Sequence, residues 1–416
     1  MSLNKTPRSE RLHIAIFGRR NAGKSSLINA ITGQNVALVS PVKGTTTDPV
    51  YKAMELLPLG PVVFIDTAGI DDEGELGELR KKKTWEVLGK TDVAILLIDN
   101  TEGVGEPEEE ILSAIKKQKI PAIAVFNKCD LKTISSDMLS FYNAKWEIPV
   151  VQVSAATGEG IEKLKEILMQ TAKADEDQVF IVKDLISRGD FVVLVVPIDK
   201  SAPKGRLILP QQQTIREIID AGGMAVVTQE DRLKETLDAL KVKPRLVITD
   251  SQVFHKVAAD TPLDIPLTSF SILFARYKGD LEELVKGTQA VEKLKDGDKV
   301  LIAEACTHHR LDDDIAQVKI PRWLKQKTGK NLHIDIASGG DFPENLKEYS
   351  LVIHCGACML NRREMMRRIR QVKEAGVPIV NYGVFIAYVQ GILNRVLQPF
   401  RKLRNALKEE EETKVV

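Results

Sequence analysis

Apolar residues fall in short, nearly continuous runs separated by amphipathic stretches. Over residues 9–173 the runs LHIAIFG, VVFID, VAILLID, AIAVFN and PVVQVS read as parallel strands buried on both faces. Between them, residues 107–118 and 161–172 repeat at helical spacing. Strand–helix alternation of this kind predicts a doubly wound α/β unit. The short charged segment Ala172 to Gln178 then reads as a linker. A second α/β unit is expected over 184–265, with strands at 191–197, 224–228 and 245–249 and helices at 211–221, 231–240 and 251–259. A third is expected over 266–400, with strands at 299–305, 332–337, 349–355 and 377–382. The end, LKEEEETKVV, is charged and expected to fray. Eighty residues make a small open sheet, so the middle unit is expected to dimerise. The fold class is therefore α/β, in three α/β domains.

Composition excludes more than it assigns. The 416 residues are 43% hydrophobic and 28% charged, with a net charge of +1. That balance gives no bulk electrostatic pull toward nucleic acid or membrane. No apolar run approaches the ~20 residues of a membrane span. The N-terminus MSLNKTPRSERLH has no apolar signal core, so the chain is expected in the cytoplasm. In a reducing compartment four cysteines point to metal or redox chemistry rather than disulfides.

The first strand runs into Gly18-Arg-Arg-Asn-Ala-Gly23-Lys24-Ser25, a G-x-x-x-x-G-K-[ST] loop that opens a helix. Its backbone N–H groups suit phosphates, with Lys24 on the β- and γ-phosphates and Ser25 on Mg²⁺; Ser26 follows on the same turn. Asp66-Thr-Ala-Gly69 ends the second strand. Asp66 suits the Mg²⁺ shell and the Gly69 N–H the γ-phosphate. Asn127-Lys128-Cys129-Asp130 ends the fourth strand, where Asp130 can accept from guanine N1–H and its exocyclic amine. Adenine offers no such donor pair, so the element selects GTP. Ser154-Ala155 backs the base. Gly44-Thr45-Thr46-Thr-Asp48 supplies threonines for a switch closing over Mg²⁺. These are the marks of a P-loop GTPase fold. Cys129 reads as a small buried side chain.

The remaining cysteines form Cys306-Thr-His308 and His354-Cys355-Gly-Ala-Cys358. Each group follows a predicted strand, and parallel strand ends share one edge of a sheet. Three thiolates and up to two imidazoles would converge there. That set suits either tetrahedral zinc or an iron–sulfur cluster. His309 is the weaker ligand candidate, and His13, His255 and His333 stand apart.

The nucleotide motifs resemble the TrmE–Era–EngA class of GTPases. In that class potassium-activated members carry asparagine where this chain has Asn21, which implies a K⁺ site. Ile70 follows the Asp66–Gly69 motif where Ras-like proteins have the glutamine that orients water, so hydrolysis is expected to be slow. A G domain followed by C-x-H and H-C-x-x-C looks like the FeFe-hydrogenase maturation GTPases, HydF. The resemblance covers essentially the whole chain. It implies a 4Fe–4S cluster on Cys306, Cys355 and Cys358, with His308 or His354 near a labile fourth position. It also implies a homodimer or higher oligomer, the radical-SAM partners HydE and HydG, and delivery of a diiron precursor to the apo-hydrogenase HydA. The rival reading is a zinc-stabilised GTPase acting in RNA modification or ribosome assembly.

Overall fold

The computed structural model describes residues 6–33, 49–70, 83–173, 179–197, 207–305, 314–339, 342–400 and 403. The chain divides into two compact units, Met1–Gln178 and Val179–Val416. Among the described residues no helix is long and apolar enough to cross a membrane.

The first unit holds one six-stranded sheet in the order β2-β3-β1-β4-β5-β6. Its strands are β1 Leu12–Phe17, β2 Val50–Leu56, β3 Gly60–Asp66, β4 Val93–Asp99, β5 Ala122–Asn127 and β6 Val150–Gln152. All pairs are parallel except β2 with β3. β4 and β5 are buried along their whole length, which explains why they read as unbroken apolar runs. Separate apolar cores fill the two faces of the sheet. β2 was not anticipated. Its sequence VYKAMEL lies at a sheet edge, where Lys52 and Glu55 break the apolar run.

The second unit holds two four-stranded parallel sheets over one continuous core. One runs β10-β9-β7-β8, from β7 Phe191–Val195, β8 Met224–Thr228, β9 Leu246–Thr249 and β10 Leu267–Ser269. The other runs β12-β11-β13-β14, from β11 Lys299–Glu304, β12 His333–Ser338, β13 Leu351–His354 and β14 Ile379–Asn381. β10 lies past the expected boundary at residue 265 yet pairs with β9. Its sequence Leu-Thr-Ser carries one apolar residue in three, so it offers no apolar run to read as a strand. In the last sheet β11 sits between β12 and β13, so the chain reverses its winding at the β11/β13 pair. Crevices at such reversals lie beyond the carboxyl ends of the strands.

Candidate functional site

In the first unit the phosphate loop spans the turn from β1 to the helix Lys24–Thr32. Two glycines are demanded by close approach. A Cβ on Gly18 would meet the Leu97 carbonyl oxygen at 2.4 Å, and one on Gly23 would meet Asn127 Nδ2 at 2.4 Å. Gly23 also holds φ +95° and Asn21 holds φ +61°, so the loop turns through left-handed backbone twice. Lys24 Nζ donates to the Gly18 and Arg19 carbonyls at 2.9 and 2.8 Å. Those bonds keep the ammonium at the mouth of the loop.

Ser25 Oγ donates to Asp66 Oδ2 at 2.5 Å. Burial raises the Asp66 carboxyl above its ordinary range, against the pull of the Ser25 bond and of Lys24. A cation placed beside this pair would relieve the cost of a half-buried carboxylate. Asn127 is buried and works as a bracket. Its Nδ2 donates to Ala22 O at 2.8 Å, and its Oδ1 accepts from Ala155 N at 3.0 Å. One side chain therefore ties the phosphate loop to the Ser154-Ala155 loop. Asp130 stands exposed just beyond, where an incoming base could reach it. Cys129 is buried, and burial raises its thiol.

Two ion pairs in this unit escaped the sequence reading. Lys128, at φ +66°, lies 2.5 Å from Asp99 at the end of β4. Burial would raise the Asp99 carboxyl, but bonds from Lys128 and Thr101 outweigh it and hold it low. Arg19 pairs with buried Glu108 at 2.7 Å, and Glu108 also accepts from Gly105 N at 2.9 Å. This fixes the phosphate loop to the start of the helix Glu106–Lys117. Thr45 and Thr46 lie outside the described residues.

In the second unit Cys355 follows β13 at the winding reversal. Its Sγ accepts from Ala305 N at 3.1 Å and from Ala357 N at 3.4 Å. Ala305 directly precedes Cys306, which with His308 and His309 lies outside the described residues. Ala357 reaches φ +54°, which wraps the loop tightly toward Cys358. Cys355 and Cys358 are both half-buried. Among the described residues no three potential ligands gather at metal-binding distance.

His354 is fully buried and both ring nitrogens are engaged. Nδ1 lies 2.9 Å from Cys355 O, so it carries the proton, and Nε2 accepts from Arg368 Nη1 at 3.2 Å. Burial first, and Arg368 second, lower this imidazole to about 4. As placed here, His354 braces the cysteine loop. Arg368 also donates to Glu364 at 3.0 Å and to Gly339 O at 2.8 Å. Arg367 grips the other side of Glu364 with two bonds of 2.8 Å. Burial would raise the Glu364 carboxyl, and the two guanidiniums bring it below its ordinary value. Lys278, also buried, donates to Leu360 O at 2.7 Å and to Cys358 O at 3.4 Å. Spacing could have found these side chains. Phe270, Phe274 and Lys278 recur every fourth residue on one helix face, as do Glu364 and Arg368.

Comparison with known proteins follows the same division. A family model described as a 50S ribosome-binding GTPase matches residues 13–128. Models described as the hydrogen maturase F dimerization and tetramerization domains match residues 181–279 and 282–399. The tRNA modification GTPase MnmE of Dechloromonas aromatica is 31% identical over 175 residues, 42% of this chain and 38% of that one. GTPase Der of Kosmotoga olearia is 32% identical over 216 residues, 49% of this chain and 48% of its own. The chain thus spans less than half the length of these curated relatives. A crystal structure of Aquifex aeolicus Era bound to GDP.AlF4- aligns with 55% of this chain and 98% of its own, at 22% identity and a TM-score of 0.35.

Proposed function

The chain belongs to the hydrogen maturase F family, and from that premise we propose that it is a GTP-controlled scaffold for hydrogenase cofactor assembly. Its first unit is a GTPase domain, and the family's dimerization and tetramerization domains fill most of the second. In this reading Cys306, Cys355 and Cys358 hold a 4Fe–4S cluster. The diiron precursor of the FeFe-hydrogenase active site is the cargo, passed to the apo-hydrogenase HydA with HydE and HydG upstream.

One observation carries the reading: two backbone N–H groups point at the Cys355 sulfur, and one of them belongs to the residue before Cys306. Donors of that kind stabilise a thiolate, the form that ligates metal. The donor set therefore fits a thiolate-held centre. A cluster held by three thiolates supplies an iron with an exchangeable position for an exogenous ligand. Lys278, Ala357 and His354 fix the loop that presents Cys355 and Cys358.

In the GTPase unit, Lys24 and the loop amides bind the phosphates. Ser25 and Asp66, with Thr45 and Thr46, hold Mg²⁺, and Asn21 stands where K⁺ would add charge. Asp130 reads guanine. Ile70 has no group to orient water, so hydrolysis is slow and nucleotide state acts as a timer. β8 is an open sheet edge exposing Met224 and Val227, which supports self-association there.

The RNA-directed rival needs a free basic face. Its candidate patch is Arg362-Arg363 with Arg367-Arg368, and of these Arg362, Arg367 and Arg368 bond within the second unit. The test is to purify Cys306→Ser, Cys355→Ser and Cys358→Ser without air after iron–sulfide reconstitution. Each should lose iron and hydrogenase activation. Full iron and activation in all three would refute the site, and a colourless wild type with one zinc per chain would favour the rival.

A further inference from the structure

We propose that the helix Phe270–Lys278 couples the segment entering the second unit to the Cys355–Cys358 loop, with Arg276 and Lys278 as positioning residues at its two holds. The inference rests on the switch reading above, in which nucleotide state is felt at the cysteines.

The entering segment is strapped down at its start. The carboxylate of Glu217 accepts from the N–H groups of Ile181, Val182 and Lys183 at 3.2, 2.8 and 2.8 Å. From the other side Arg276 donates to the carbonyls of Phe180 and Ile181 at 2.9 and 2.7 Å. It also grips Asp184 with two bonds of 2.7 and 2.8 Å. One anion thus holds the amides of the strap, and one cation holds its carbonyls and its carboxylate. Beside it lies a cavity of about 680 Å³, lined in part by Asp184, Leu185 and Arg276.

Two residues further along the same helix, Lys278 holds the Cys358 and Leu360 carbonyls, as described above. On the same turn the Tyr277 and Gly279 carbonyls accept from Arg362 at 2.7 and 3.4 Å. Arg362 opens the helix Arg362–Glu374 that follows the cysteine loop. At the helix's other end Ser271 Oγ lies 3.9 Å from where a Cβ on Gly356 would stand. Phe270, Ile272, Leu273, Phe274 and Ala275 of the same helix are all buried. Packed interiors pass a displacement on rather than absorb it. Arg276 and Lys278 are separated by about 3 Å of helix rise, so a pull on the strap has a short, stiff path to the loop.

A purely structural role would make these contacts matter for stability alone. Coupling makes a further demand: nucleotide state must change the chemistry of the cysteines, and must do so through Arg276. The test uses the full chain without iron. Alkylation of Cys355 and Cys358 is timed with GDP and with a non-hydrolysable GTP analogue. Peptide mass spectrometry separates these thiols from Cys129 and Cys306. In the wild type the two nucleotides should change the rate by about fivefold or more, the lower range of ordinary allosteric coupling. Arg276→Gln removes the grip from the helix side, and Asp184→Asn loosens it from the strap side without touching the core. Both should shrink the nucleotide effect below about twofold. Nucleotide affinity should be unchanged in both, as should the thermal midpoint of Asp184→Asn. A full nucleotide effect in both variants overturns the coupling, as does its absence from the wild type. Iron loss in the three cysteine variants would leave the scaffold reading standing in either case.

Discussion

Arg368→Met should loosen the cysteine loop far more than its distance in sequence suggests. Arg368 and Glu364 are each 1% exposed, and the guanidinium bonds Glu364, His354 and the Gly339 carbonyl. Methionine fills much of the same volume but returns none of these bonds. Removing one partner of a buried pair costs about 3–5 kcal/mol, because the remaining charge stays buried. Here Arg367 keeps its two bonds to Glu364, so the carboxylate stays paired and this share falls to about 1 kcal/mol, the worth of the bond lost. The His354 Nε2 lone pair is left facing an apolar side chain, which adds about 1–3 kcal/mol for an unmet buried acceptor. Taken together, a loss of about 2–4 kcal/mol is expected, centred on β13 and the helix Arg362–Glu374. Hydrogen exchange reads this locally, so the first unit does not interfere. Amides of Val352, Ile353 and Cys355 should exchange about 30- to 1,000-fold faster than in the wild type. Arg368→Lys restores the charge but not the fork, and should recover only part of the protection. Protection within about threefold of the wild type in Arg368→Met would refute the reasoning, because the network would then hold nothing.

Gly23→Ala places a methyl group against Asn127 Nδ2 in left-handed backbone. Strain of about 1–2 kcal/mol, with the bracket displaced, should weaken GTP binding at least about tenfold by titration calorimetry. Lys24→Ala removes the phosphate cation and should abolish measurable GTP binding, with hydrogenase activation lost alongside it. Asp66 gives a pH prediction. Its carboxyl is raised in the folded state, so the folded protein holds the proton more tightly than the unfolded chain. Stability should therefore fall as pH rises from the ordinary carboxylate value through the raised one. Thermal unfolding of the nucleotide-free, Mg²⁺-free protein should show that fall, and Asp66→Asn should lack it.

The placement of the first unit's motifs was legible because each is local in sequence. Each motif is a strand end plus a few residues, so Gly18, Lys24, Asp66 and Asn127 could be placed from one short window each. What windows cannot show is the bracket: Asn127 meets Ala22 across 105 residues. Arg19 and Glu108 are likewise joined only by the sheet order. The same limit applied in the second unit. Strand ends brought Cys355 beside the start of the Cys306 segment, as parallel topology requires. The sequence offers His354 as a candidate labile ligand or a packed side chain, and its bond to Arg368 is invisible to a window because Arg368 lies a helix away. A charged residue on the apolar face of a helix is the readable trace of such a partner. Lys278 and Arg368 both carry that trace, and both hold the backbone or brace of the same loop. The loop's shape therefore depends on buried cations that contribute no ligand. The burial cost of Lys278 and Arg368 is offset by the carbonyls and the carboxylate that they hold.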